Sequence, residues 1–412
     1  MNATSSPLSL PNTGHSLSPV TPNTSSRLPR PVWIAVLALA CLPIGLLWDI
    51  SHHSSIGRDT FWTPAHIIIQ LGGIIPALMF GLIALKTTFR GSADEREGSI
   101  SILSARAPLG AWVTIWGAFA MVTSAPFDDW WHNTYGLDVK IISPPHSILG
   151  VGMFFVGLGV LLFVFSAQNR ATVLSEKQLG FLCALAVGVM VTMIADFTTE
   201  FTWPNAQHGS RFYYVMCTAF PLLLVMAARA AKVKWAATIA AGTYMLIFIF
   251  MIIALPLFPA QPKLAPIYNP ITHMVPPAFP MLLILPALGL DILVARFSKA
   301  TSVKPGSTVT AKTPWWSDWL LAMAVGVAYL AIVVVVQWPF SGFLLSDHAD
   351  NFFFARSGHW PYFSNRGEWF NTFWTSGIEP LTAASLVLAF LRAFISARLG
   401  LGLGNYLHKL KR

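Results

Sequence analysis

Ten apolar stretches, each close to the ~20 residues that a helix needs to cross a hydrocarbon core, dominate this chain. They lie at roughly 32 to 49, 64 to 85, 107 to 127, 145 to 167, 178 to 196, 210 to 230, 235 to 257, 275 to 296, 317 to 340 and 379 to 397. With 55% apolar and only 10% charged residues, such a chain cannot be a soluble enzyme, because no water-filled surroundings would tolerate so many continuous apolar surfaces. Inside a bilayer each backbone must satisfy its own hydrogen bonds, so the runs read as helices. The expectation is an all-α, polytopic integral membrane protein with about ten transmembrane helices in five hairpins.

The 20 Lys and Arg that lie in the N-terminal tail, the even-to-odd connections and the C-terminus contrast with only six elsewhere: Arg58, Lys140, Arg211, Lys263, Arg356 and Arg366. This is the positive-inside asymmetry, and it places both termini in the cytoplasm. The net charge of +9 is thus explained by topology, and nucleic acid is not an expected partner; the lipid bilayer is. Residues 1–31, rich in Ser, Pro, Thr and Asn, read as a disordered cytoplasmic tail. Residues 32–297 form an eight-helix core, 298–316 a polar inner linker, and 317–412 a C-terminal helical pair with a long outer loop. That loop carries Asp347, His348, Asp350 and His359 together with Trp360, Tyr362, Trp369 and Trp374, and the aromatic residues suit the membrane interface. Cys41, Cys183 and Cys217 all fall inside spans, which leaves no disulfide framework and no CxxC site.

Against this background the histidines are sorted. Nine of the eleven lie at the outer ends of the spans, and four belong to two copies of one pattern. The first reads Asp49-x3-His53-x3-Gly57-x-Asp59 and closes with Thr63-Pro64-x-His66; the second reads Asp128-x3-His132-x3-Gly136-x-Asp138 and closes with Ser143-Pro144-x-His146. A spacing of four puts Asp and His on one helical face if the preceding span extends that far. Thr63 or Ser143 can cap the next helix with Pro at its first position, which fixes His66 and His146 in the first turn. Each hairpin then presents one carboxylate and two imidazoles, a ligand set for a transition metal. The same groups would also serve an ion or proton relay, or simply sit hydrated at the membrane surface.

Gly57 and Gly136 are expected at turns that need positive φ. Asp59 and Asp138 are structural there, or accept from a ligating imidazole, a role also open to Gln70, one turn after His66. A third hairpin is degenerate, keeping Asp196, Glu200 and His208 but losing the Gly-x-Asp turn and the Pro-x-His start. Asp291 is the main ionisable candidate for a transport path among the spans, but it lies near the inner end, close to Arg296.

The segment Asp49-x3-His53, Arg58-Asp59-Thr60, Thr63-Pro64-x-His66-Ile67-Ile68 resembles a signature of one of the three subunit types of the membrane-bound copper monooxygenases, the methane and ammonia monooxygenase family. His132, four residues after the first position of the second motif, and His146, fourteen residues later, are similar in arrangement. The likeness covers roughly residues 45 to 150. It implies copper as the cofactor, with Asp49, His53 and His66, and His132 and His146, as ligands. It further implies oxidation of a small apolar substrate by dioxygen, other monooxygenase-type subunits as partners, and a bacterial inner membrane with the metal sites toward its outer face. Asp128 stands where that family has Asn, which adds a negative charge to the second set. Two histidines and a carboxylate also suit non-haem iron, and zinc is a further alternative. A transporter or relay built on the outer His/Asp loops, and a noncatalytic assembly subunit, are the competing readings.

Overall fold

The computed structural model describes residues 29–57, 60–136, 143–171, 173–264, 271–300, 316–349, 351, 353–354 and 379–411. The expectations for the tail, for most of the 298–316 linker and for the outer-loop residues Asp350, His359, Trp360, Tyr362, Trp369 and Trp374 fall outside them. Among the described residues twelve α-helices follow one another: α1 (Arg30–Ser55), α2 (Pro64–Arg90), the short α3 (Ala93–Glu97), α4 (Leu109–Tyr135), α5 (Pro144–Arg170), α6 (Val173–Phe197), the single turn α7 (Thr199–Thr202), α8 (Ser210–Ala230), α9 (Ala236–Ala254), α10 (Ile284–Ala300), α11 (Ser317–Leu344) and α12 (Ala383–Lys409). Nine of these described helices are long and apolar enough to cross a membrane. The protein is an all-α, multi-pass membrane protein.

Antiparallel succession brings all the inter-helix connections to two ends. At one end Asn169 donates to the carbonyls of Leu407 and Leu410, 2.7 and 2.8 Å away, and Arg170 donates to the Lys411 and Gly98 carbonyls. This ties the end of α12 to the end of α5 and to the connection after α2, which folds as α3 and a two-stranded hairpin (Ile100–Ile102 with Ala105–Ala107). The start of α1 lies at this same end. The histidine-bearing turns lie at the other.

Hairpin pairing by chain order is tightest in the first two pairs. A side-chain carbon added at Gly117 of α4 would lie 2.6 Å from the Val156 amide nitrogen and 2.8 Å from the Gly152 carbonyl on α5; one added at Gly152 would lie 2.7 Å from the Gly117 carbonyl. Only hydrogen fits there, so α4 and α5 pack backbone against backbone, as small residues allow between membrane helices. Gly45 of α1 against Ala65 and Ile69 of α2 is the equivalent approach in the first hairpin. Later in the chain the order breaks. The principal partner of α6 is α9, and that of α8 is α12, so the C-terminal pair is part of the main bundle. Pro221 interrupts the hydrogen-bond ladder of α8, and Ser396 of α12 fills the gap: its hydroxyl accepts from Leu222 N–H at 2.9 Å and donates to the Thr218 carbonyl at 2.8 Å.

The eighth apolar stretch is half helix. Residues 271–282 hold no helical turn, and α10 is only 17 residues long. Pro276, Pro277 and Pro280 cannot donate to a helical ladder, so the chain descends extended and takes its hydrogen bonds from side chains. Val275 N–H donates to Ser55 Oγ (2.8 Å), Ser51 Oγ donates to the Val275 carbonyl (2.5 Å), Met281 N–H donates to Tyr244 Oη (2.9 Å) and Leu282 N–H to Gln337 Oε1 (3.0 Å). Non-helical backbone at membrane depth is tolerated where protein covers it, and here it does. Asp291, on α10, accepts from Ala237 N–H, Thr238 N–H and the Thr238 hydroxyl at 3.1, 2.8 and 2.7 Å. It is the N-terminal cap of α9, supplied from another helix.

Candidate metal centre

The helix α4 continues beyond the apolar part of its span to Tyr135, which carries Asp128 and His132 on one face, a turn apart. Opposite them, Ser143 caps α5: its hydroxyl accepts from the His146 N–H at 3.4 Å, Pro144 occupies the first turn, and His146 is held at its third position. Because the glycine contacts fix the spacing of α4 and α5, the three side chains converge. Asp128 Oδ1 lies 3.5 Å from Nε2 of His132 and 3.5 Å from Nε2 of His146, and one ligand atom from each residue falls within 4.8 Å of the others. Bonds of ~2.0–2.1 Å in a tetrahedron put neighbouring ligand atoms roughly 3.3–3.4 Å apart. The Asp128 distances match one shared ion.

Tautomer chemistry supports the same arrangement. His132 Nδ1 lies 3.2 Å from the Gly136 carbonyl, which can only accept, so Nδ1 carries a hydrogen and Nε2, the nitrogen that faces Asp128, is the one placed to bind an ion. Gly136 makes this possible: its N–H closes the last turn on the His132 carbonyl, and its φ of 86° is a left-handed value that favours glycine. A carboxylate oxygen and two imidazole nitrogens thus share a small volume, a donor set whose geometry could hold a metal ion. With side chains 24–35% exposed, the site opens at the bundle end, leaving positions for further ligands. Trp131 packs on Tyr135 at 4.5 Å and on Phe127 at 6.2 Å, which holds the end of α4 in place around His132.

The first copy is built from the same parts and ends differently. Asp49 and His53 share a face of α1, and His66 stands in the first turn of α2. Asp49 Oδ1 lies 3.2 Å from His66 Nε2, while its other oxygen lies 3.7 Å from His53 Nε2. The carboxylate thus spans the two rings instead of presenting one oxygen to both. Among the described residues, only the Asp128, His132 and His146 set is compact enough for one ion. His66 Nδ1 is held by the Thr60 carbonyl at 3.1 Å, the counterpart of the His132 to Gly136 contact. Thr63 does not cap α2 as expected; its hydroxyl accepts from Thr60 N–H at 2.9 Å, and this small loop positions the Thr60 carbonyl. Gly57 has the anticipated positive φ, 106°. His53 is half exposed. Gln70 buries its Oε1 without a hydrogen bond and does not support a ligating ring. Asp59 and Asp138 lie outside the described residues.

The third hairpin does not assemble a site. Glu200, on α7, is exposed, and His208 turns away, with Nε2 3.0 Å from the Trp338 carbonyl and its ring 4.6 Å from the Trp338 ring. Asp196 is buried at the end of α6, and neither oxygen has a hydrogen-bond partner. The partners that sequence spacing did not reveal, Gly136 and Thr60, act through main-chain carbonyls; the turns that supply them were legible, the contacts were not.

Comparison of the chain with protein-family models, with curated proteins and with solved structures finds no match. The likeness of the two motifs to those of the copper monooxygenases therefore rests on the motif residues themselves.

Proposed function

We propose that this protein binds a transition-metal ion at the mouth of its second hairpin, through Asp128, His132 and His146. The observation that carries the reading is the convergence of Asp128 Oδ1 on two imidazole Nε2 atoms at 3.5 Å each. Asp49, His53 and His66 form a second, looser set that would need the Asp49 carboxylate or the His53 ring to swing before all three reached one ion. The motif likeness favours copper, and iron or zinc would fit the same donors. Copper bound there would supply the redox chemistry for oxidising a small apolar substrate with dioxygen, alongside partner subunits. This chain's own residues hold the ion, fix the imidazole orientation through the Gly136 and Thr60 carbonyls, and leave a face open. The distribution of basic residues supports an outward orientation of this end, in a bacterial inner membrane.

Metal analysis and electron paramagnetic resonance of the purified full-length protein test the proposal. Replacing His132 and His146 together by Ala should remove the ion of the second hairpin while the protein stays folded in the membrane. Unchanged metal content in that double variant defeats the assignment. A transport role gains from one observation, the broken helix before α10.

A further inference from the structure

The helix α12 carries a charge where its exposed neighbours are apolar. Arg392 stands about 14 Å along the helix from Ala383 and about 26 Å from Lys409, at 1.5 Å per residue, so its backbone lies inside a span. Leu388 and Ile395, one turn to either side on the same face, are exposed, as is Leu391, and Arg392 is exposed among them. Its guanidinium carbon lies 4.6 Å from the centre of the Tyr214 ring of α8, and among the described residues no other group bonds it. Arg229, further along α8, shows how the bundle settles a basic group between its helices: Asn405 Oδ1 accepts from its Nε at 2.7 Å, and Asp318 lies 3.6 Å away. Arg211 belongs to the same surface as Arg392. It lies in the first turn of α8, and it and Thr218, seven residues on and so on the same face, are the exposed positions of that helix, with Tyr214 between them. Arg211 likewise has no partner among the described residues. Glu379, which reaches the same turn, accepts from the Ser210 hydroxyl at 3.2 Å and pairs with neither arginine.

Direction decides the ligand. The helices α8 and α12 run the same way, since Leu222 meets Ser396 and Arg229 meets Asn405, and side chains on a helix lean toward its start. The Arg392 guanidinium therefore reaches toward the histidine end, to Tyr214, one turn from Arg211. An arginine in a span costs least when its stem lies along apolar surface and its head gathers at the membrane boundary. A carboxylate at mid-span in a neighbouring protein would call for the opposite, a head level with its own backbone. Two guanidinium groups drawn to one boundary offer forked donors that match a phosphate, and lipid phosphate is the anion that stands at that level. A zwitterionic headgroup would also bring an ammonium to these two cations. We propose that Arg211 and Arg392 hold the phosphate of an anionic phospholipid in the leaflet at the histidine end, with Leu388, Leu391 and Ile395 under its acyl chains. The site shares no residue with the Asp128 centre and does not depend on it.

Photo-crosslinking of the purified full-length protein tests this, with phosphatidylglycerol and phosphatidylcholine that each carry a diazirine near the head of one acyl chain, and with the adducts mapped by mass spectrometry. At sub-saturating lipid, phosphatidylglycerol should label the strip from Leu388 to Ile395 in preference to phosphatidylcholine. Arg211→Gln and Arg392→Gln should each lower that yield about 5-fold, and the two together about 30-fold. Lys234→Gln, which removes an exposed charge at the other end of the bundle, should leave it unchanged. Equal labelling by the two lipids, or undiminished labelling of the double variant, overturns the proposal. A competition needs no variant: unlabelled phosphatidylglycerol should suppress the adducts and glycerol phosphate should not, and equal suppression by both means that a free phosphate is the ligand and refutes the lipid site. Labelling in detergent that vanishes in native membranes means that another protein covers the strip there, and refutes it as well.

Discussion

The proposed Asp128 centre depends on how closely α4 and α5 approach, and Gly117→Ala tests that dependence far from any ligand. The added carbon would meet Val156 N at 2.6 Å and Gly152 O and Phe155 Cβ at 2.8 Å each, where ordinary contact is about 3.5–4.0 Å. The helices must part by roughly 0.9 Å to reach the near edge of that range. Asp128 lies eleven residues further along α4, about 16 Å away at 1.5 Å per residue. If the helices separate as rigid bodies, the 3.5 Å from Asp128 Oδ1 to His146 Nε2 widens to about 4.4 Å. Two ligands on opposite sides of one ion reach at most ~4.2 Å. His146 and Asp128 could then no longer share an ion without distortion. The expected loss of affinity is about 10–100-fold, the range seen when the support of a ligand is removed, accompanied by about 1–3 kcal/mol of destabilisation from overpacking. Metal titration and thermal unfolding of the purified protein provide the readout. Gly81→Ala is the control, because its added carbon would meet nothing within 4 Å. Equal metal affinity in Gly117→Ala, Gly81→Ala and wild type would show that helix approach does not set the ligand distances.

Asp291→Ala should destabilise the bundle by about 1–3 kcal/mol, since it leaves the first N–H groups of α9 without their acceptor, and should leave metal content unchanged; a thermal scan with metal analysis checks both. The Lys86 ammonium, and then the Ser92 N–H, hold the exposed Glu95 carboxyl below its ordinary value of 4.5. Its contribution to the α3 capping box is therefore complete above that value and is lost as pH falls through the lower folded value. Hydrogen exchange at the Ser92 amide, corrected for its intrinsic rate, should stay protected at neutral pH and open only in that acid window. Loss of protection between pH 7 and 5 would contradict the capping role. Tyr135→Cys should react with an impermeant maleimide from outside the cell, and Ser307→Cys only after permeabilisation; the reverse inverts the orientation read from the basic residues.

The parts of this protein governed by local rules were legible in the sequence. Helix existence followed from apolar length, and the shared faces of Asp49 with His53 and Asp128 with His132 followed from spacing alone, because the helices run past the apolar region. The difference between the two copies was not legible. It arises from which carboxylate oxygen meets which ring, and no spacing rule carries that information. The break in the eighth stretch was legible in principle: hydropathy counts Pro276, Pro277 and Pro280 as compatible with a span, whereas the missing N–H groups count against a helix. Asp291 was the main ionisable candidate for a transport path, yet three donors from α9 satisfy it. Asp196 was grouped with Glu200 and His208 by analogy with the other hairpins, and the packing of α6 against α9 instead buried it alone.

The Ser396 bridge across the Pro221 gap also bears on how the molecule is made. As the chain leaves the ribosome in order, α8 is made well before α12, the last of the described helices to be synthesised, so the Ser396 hydroxyl that joins the Leu222 amide to the Thr218 carbonyl arrives after both. Until then the break at Pro221 stands without its bridge. Because α12 is the principal partner of α8, the bundle closes only when its final member arrives.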